Sequence, residues 1–313
     1  MMFIDFLTEL KEKEIELYLS GGKINYSGPE NFIDDAFIER LKKYKGKLIK
    51  HLWPGECSNM MPINTEGSKT PFILLHGEKM NYPLSEHLGS DYPFYGFFHY
   101  GSQGEKIYHK KIETFARDYI SQLQMIVPTG PYYLGGFSFG GFVAFEMAVQ
   151  LQRMGFEVPV LILIDCKVPS LKEPVNASKF LPEFALRSYD YSKEIYHSVF
   201  HRCRSAYYEF TLMFKSKLKK RNRNYYIMAT YMSIAKRYRP ATALKGEILL
   251  FRSKQNKSVH EYLGWDKYCD KVTLVLIEGN HQTIYESAES YNVLSKNIGE
   301  WLNNANNAAK RKN

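Results

Sequence analysis

The segment Leu134-Gly135-Gly136-Phe137-Ser138-Phe139-Gly140-Gly141 constrains this chain more than any other. It closes an apolar run, Pro131-Tyr132-Tyr133-Leu134, and opens a helical pattern, Phe142-Val143-Ala144-Phe145-Glu146-Met147-Ala148. A strand that turns at once into a helix leaves one residue, Ser138, on a strained bend. Its neighbours must be small where strand and helix approach each other. The helix start also aims unpaired N–H groups and a partial positive charge at that spot. Gly-x-Ser-x-Gly alone is a common pattern, and a glycine-rich turn with an idle serine reads the same. The strand before it and the helix after it make Ser138 a candidate nucleophile.

The 313 residues divide into three segments by pattern. In residues 1–52, Phe3, Phe6, Leu7 and Leu10 have helical spacing. Ile15–Leu19 and Lys23–Tyr26 alternate like strands around Gly21-Gly22, which predicts a hairpin. Phe32 to Leu52 then carries one or two closing helices. Such an α-β-β-α unit has little core and gains from dimerising. Residues 53–70, rich in Pro, Gly, Asn and Ser, read as a linker. Residues 71–302 alternate strand and helix. Strands are expected at 72–75, 94–98, 132–137, 160–164, 247–251 and 272–277, with helices at 112–125 and 142–154 between them. That rhythm implies a mostly parallel, doubly wound α/β sheet. A helix-rich, aromatic insert interrupts it at about 170–239, and the basic tail 303–313 reads as frayed.

Composition narrows the setting. The N-terminus has early acids and no basic leader, and no apolar run approaches membrane-spanning length. Cys57, Cys166, Cys203 and Cys269 lack metal-type spacing and fit free thiols in a reducing cytosol. The expectation is a cytoplasmic protein with no membrane partner and no metal. The net charge of +9 concentrates in the insert: eleven Lys and Arg lie between Arg202 and Arg239 against one acid, Glu209. A solvated helical face and a landing surface for an acidic partner or a phosphate explain this equally well. Nucleic acid is disfavoured, because no recognised binding module accompanies the charge.

A serine needs a base, and the base needs an orienting acid. His281 leaves the last strand through Leu276-Ile277-Glu278-Gly279-Asn280, where a base in the order Ser, acid, His belongs. The loop after the penultimate strand, Arg252-Ser253-Lys254-Gln255-Asn256, holds no carboxylate. Asp165 stands at the carboxyl end of the apolar strand that follows the elbow helix, where open α/β folds place their chemistry. It is the better orienter; the bland alternative is a strand-end cap. An oxyanion site needs two N–H groups. Phe139 supplies one, and the loop Gly77-Glu78-Lys79 the other, from Glu78 or Lys79, with Gly77 permitting close approach.

Residues 71–302 resemble the thioesterase domains of nonribosomal peptide and polyketide synthases. The resemblance rests on Pro71-Phe72-Ile73-Leu74-Leu75-His76-Gly77, on Gly130 through Gly141, and on Gly279-Asn280-His281. It implies an α/β-hydrolase fold with residues 170–239 as a lid, and an acid at Asp165. It also implies a substrate carried on the 4'-phosphopantetheine arm of an acyl or peptidyl carrier protein, with no cofactor of the enzyme's own. Two departures stand out: Asn280 replaces an aspartate, and the loop after Gly77 lacks its customary glycines. Residues 2–52 resemble tubulysin-type N-terminal docking domains, small dimers whose hairpin captures the C-terminal tail of an upstream synthase subunit. A simple accessory domain is the alternative there. The implied reaction is release of the acyl chain by hydrolysis or cyclisation through an acyl-serine. A proofreading type II thioesterase, a small-molecule serine esterase and a non-enzymatic adaptor are the competing readings.

Overall fold

The computed structural model describes residues 3–20, 23–29, 32–52, 59–102, 104–169, 171, 206–213 and 218–312. The Gly21-Gly22 turn, Cys57, Cys203, Tyr189, Tyr191 and most of the 170–239 insert lie outside them.

At the N-terminus, α1 (Phe3–Glu12), the antiparallel pair β1 (Glu16–Ser20) and β2 (Lys23–Ser27), and α2 (Asp35–Leu52) follow the expected order. Phe6, Leu10, Ile15, Phe37, Leu41, Tyr44 and Leu48 form their own core. Asp34 caps α2 by accepting the Phe37 N–H at 2.7 Å, and Arg40 ties it to Glu9 of α1.

The rest is a seven-stranded sheet: β3 (Met60–Asn64), β4 (Phe72–Leu75), β5 (Phe94–Phe97), β6 (Tyr133–Phe137), β7 (Val160–Ile164), β8 (Leu244–Ser253) and β9 (Cys269–Ile277). Spatial order is β3-β5-β4-β6-β7-β8-β9, parallel except for β3. Inner strands such as Phe72-Ile73-Leu74-Leu75 and Val160-Leu161-Ile162-Leu163-Ile164 are buried throughout, because helices cover both faces. Ile73 and Leu75 point to one core with α4 (Ile112–Gln124) and α5 (Phe139–Arg153). Phe72 and Leu74 point to the other, with α3 (Asn81–Leu88) and α8 (Ala288–Lys312). The insert contributes helical residues at 206–213 (α6) and α7 (Lys220–Ala235).

Two expectations need correction. The linker 53–70 contains β3, an antiparallel strand at the edge of the sheet among the described residues, where Pro62 is tolerated. The tail 303–313 is not frayed, since α8 runs on to Lys312. Asn303 Oδ1 accepts hydrogen bonds from Tyr92 Oη at 2.5 Å and Lys69 Nζ at 3.3 Å, and Leu302 is buried.

The chain passes from β4 out to β5, then returns to the opposite side of β4 as β6. Such a reversal opens a crevice beyond the carboxyl ends of the two strands. Ser138 stands there, directly beside the loop that leaves β4.

Candidate active site

Ser138 sits at φ 52°, ψ −117°, between β6 and α5. A side chain on Gly136 would put its Cβ 2.3 Å from Gly140 O, and one on Gly140 would lie 2.3 Å from Leu75 O. Both are below any real contact, so the glycines are required by closeness. The Ser138 N–H donates to Ile164 O at 3.1 Å, fixing the turn to the end of β7. Asp165 follows at φ 44°, and its N–H donates to Phe251 O of β8 at 2.7 Å. His76, ending β4, also has positive φ, at 57°. Three non-glycine residues in an unfavourable backbone region therefore stand at adjacent strand ends, where such strain is typically stored.

The structure brings Ser138, Asp165 and His281 together. His281 Nδ1–H donates to Asp165 Oδ2 at 2.8 Å, and His281 Nε2 accepts from the Ser138 hydroxyl at 2.9 Å. The acceptor-only carboxylate fixes that tautomer. The turn carrying His281 is closed by Asn280, whose Oδ1 accepts the Gln282 and Thr283 N–H groups at 2.8 and 3.2 Å. The Asn280 departure thus keeps a working turn. Phe137 stacks on the imidazole at 4.9 Å and 19°, and Tyr285 meets Phe137 edge-on.

Asp165 is buried, with a side chain only 1% exposed against 48% for His281. Burial opposes its charge. The His281 hydrogen bond, the Ser253 N–H and the Asn256 amide outweigh that cost and hold the carboxyl below its ordinary 3.8. Oδ1 accepts from Ser253 N at 3.0 Å, Ser253 Oγ at 3.1 Å and Asn256 Nδ2 at 3.2 Å. The loop passed over for lacking a carboxylate therefore supplies the donors that keep Asp165 charged. Its Ser and Asn are the signal in the sequence, but a strand-end loop rich in such residues is common.

A cavity of about 310 Å³ opens beside Ser138, lined on one side by His76, Gly77, Glu78, Lys79 and His99 and on another by Phe137 and Phe139. Phe139 begins α5, so its N–H belongs to the first turn, which has no partner within the helix. Both proposed sources of oxyanion donors therefore border the cavity. A side chain on Gly77 would lie 2.5 Å from Leu74 Cδ2. Of the insert's described tyrosines, Tyr207, Tyr208, Tyr225 and Tyr226 do not line this cavity: Tyr208 and Tyr226 are buried, and Tyr207 is exposed. Tyr231 of α7 instead stacks on the outer side of Phe139 at 4.2 Å and donates to Tyr100 O at 3.1 Å. Glu209 pairs with Lys110 and Lys106, outside the basic cluster, and accepts from Tyr226 Oη.

His76 is 2% exposed, and burial followed by the nearby His99 drives it well below the ordinary 6.5. The unfolded chain takes up a proton there as pH falls through that value, while the folded chain does not, so stability is lost below it. We expect NMR of the ring nitrogens to find His76 neutral at about pH 5.5, with a melting temperature lower than at neutral pH. A protonated His76 in the folded protein at that pH contradicts this account. Asp165 acts lower: its contribution is present above the ordinary carboxylate value and is lost as pH falls through its depressed one.

Among the described residues, no helix is long and apolar enough to cross a membrane, and no His, Cys, Asp and Glu cluster suits a metal ion.

Comparison with known proteins agrees with this architecture. The dimodular nonribosomal peptide synthase of Bacillus subtilis (strain 168) is 34% identical over 139 residues, 42% of this chain but 6% of that protein. Chondramide synthase cmdD of Chondromyces crocatus is 39% identical over 116 residues, 36% of this chain and 3% of its own length. The chain thus spans only a small part of these relatives. The NocB thioesterase domain from the nocardicin cluster superposes with a TM-score of 0.53 at 20% identity, covering 78% of this chain and 99% of that one. YbtT, a type II thioesterase from the yersiniabactin pathway, gives 0.53 at 15%, covering 80% and 100%. At such identities the likeness is one of fold. The family model for the TubC N-terminal docking domain matches residues 4–53. The thioesterase-domain model matches residues 75–301, and the chain belongs to the thioesterase domain family.

Proposed function

We propose that the chain releases an acyl or peptidyl group from the phosphopantetheine thioester of a carrier protein through an acyl-Ser138 intermediate. The observation that carries this reading is the unbroken hydrogen-bond chain Ser138–His281–Asp165 at the rim of a cavity. His281 Nε2 takes the hydroxyl proton as Ser138 Oγ attacks the thioester carbonyl. The oxyanion is held by Phe139 N–H and by an N–H of the Glu78–Lys79 loop. His281 then returns the proton to the leaving thiol. Asp165 stays ionised and steadies the imidazolium. Water, or a nucleophile within the chain, attacks the acyl-serine with His281 again as base.

The docking domain favours delivered substrates over free esters. We propose that it receives the C-terminal tail of an upstream synthase subunit, as a dimer, and brings that subunit's carrier close to Ser138. The exposed Lys219, Lys236, Arg237 and Arg239 give the lid a positive outer face suited to an acidic carrier.

The test is mass spectrometry of the protein after brief mixing with acyl-loaded carrier or with the matching free ester. We expect an acyl adduct on the peptide containing Ser138, formed faster from the carrier. Faster acylation by the free ester assigns the chain to small-molecule esterases, and an adduct elsewhere overturns the mechanism.

A further inference from the structure

The cavity beside Ser138 contains a second histidine–carboxylate pair that the reading above leaves idle. Glu78 stands in the loop that departs from the family's glycine pattern, and His99 lies two residues beyond β5. Glu78 Oε1 accepts the His99 backbone N–H at 3.0 Å and is also hydrogen-bonded to His99 Nδ1. With Nδ1 spent on Glu78, Nε2 is the ring nitrogen left for a ligand.

His76 adds an acceptor. Tyr119 spends its single hydroxyl proton on Phe98 O at 3.1 Å, so at 2.9 Å it accepts from His76 Nε2–H. The His76 ring is neutral, which leaves Nδ1 with a lone pair. That atom is buried and has no hydrogen-bond partner among the described residues. An orphaned buried acceptor is costly unless something occupies it. The His76 and His99 rings lie 4.1 Å apart, and both line the cavity. One wall of the cavity therefore carries the Glu78 carboxylate beside the His99 and His76 rings. Among the described residues, Lys79 is the one Lys or Arg lining the cavity; it is exposed, with its Nζ 5.3 Å from the centre of the Tyr285 ring.

We propose that this wall recognises a protonated amino group on the acyl chain, close to the thioester carbonyl. The proposal rests on the acyl-serine reading and narrows its substrate class. An ammonium donates to the Glu78 carboxylate and neutralises it, with further N–H donors left for the neighbouring imidazole; a hydroxyl offers one donor and no charge. Closeness follows from chain geometry. A glutamate carboxyl lies within about 5 Å of its own N–H, and the Glu78–Lys79 loop is the proposed source of an oxyanion donor. The amino group therefore belongs on the α or β carbon.

The test uses two non-hydrolysable ligands of equal shape, the N-acetylcysteamine-type amides of 3-aminopropanoic and butanoic acid. Each is titrated for protection of Ser138 against a simple alkyl fluorophosphonate at neutral pH. The amino ligand is expected to protect at roughly 10- to 100-fold lower concentration, as a charge-assisted hydrogen bond warrants. In Glu78→Gln, which keeps the backbone N–H, that ratio should collapse to within about threefold. His99→Asn should reduce it as well, giving a second readout if one variant misfolds. Equal protection in the wild-type chain, or a ratio that survives Glu78→Gln, overturns the proposal. Thioester turnover is measured separately: protection favouring the amine without turnover of either matched thioester would keep this site and remove the thioesterase reading.

Discussion

Alanine at position 138 is expected to lower thioester turnover by about 10⁵- to 10⁶-fold, because nucleophile and base act as one unit. The residual rate should be that of the N–H donors and binding alone. Ser138 makes no packing contact that alanine would lose heavily; its structural task is the φ of 52°, and alanine keeps the turn's other glycines in place. The variant should therefore fold, melt within a few degrees of the parent and still bind an upstream tail through residues 4–53. Stopped-flow release from an acyl carrier, alongside calorimetry, checks both halves. Turnover within tenfold of wild type would remove Ser138 from the mechanism.

Asp165→Asn should cost about 10⁴-fold, although it removes a single charge and no volume. Asp165 uses both oxygens: Oδ1 faces Ser253 and Asn256, all donors, and Oδ2 faces His281. An asparagine has one carbonyl oxygen, and three donors draw it to the Ser253 side. Its NH₂ then points at His281 Nδ1 and forces the proton onto Nε2, the nitrogen that must receive the Ser138 proton. The defect should lie in kcat, with KM nearly unchanged. It should lessen as pH rises, as hydroxide takes over the base's part. A change confined to KM, or a loss below tenfold, would show that Asp165 does not set the tautomer.

How much of this was legible in the sequence depended on burial and on distance along the chain. The inner strands could be read because helices on both faces make them apolar at every position, as in Val160–Ile164. β3 could not: Met60-Met61-Pro62-Ile63-Asn64 is a half-solvated edge segment that looks like any linker. The end of α8 escaped because Asn303-Asn304-Ala305-Asn306-Asn307 has poor helical propensity. Tertiary anchors at Asn303 and the Asn306 side chain on Leu302 O override it. Ser138, Asp165 and His281 were legible because sheet order fixes where each must leave its strand. Their supporting groups were not. Asn256 is 91 residues from Asp165 and His99 is 21 from Glu78. Nothing local in either loop reports which partner the fold will bring near.

The placement of Asp165 carries a consequence for assembly. Its backbone is pinned to β8 through Phe251 O, its carboxylate to the residues that leave β8, and its imidazole partner arrives only after β9. Counting Ser138 after β6, the hydrogen-bond chain and its supports thus span four neighbouring parallel strands, the outermost of which is the last part of the sheet to be synthesised. A slip of β8 by one residue would exchange its two faces and turn Ser253 away. The acyl-serine chemistry proposed for Ser138 can therefore begin only when the final strand has docked in the correct alignment, so acylation of this serine would report completed folding as well as catalysis.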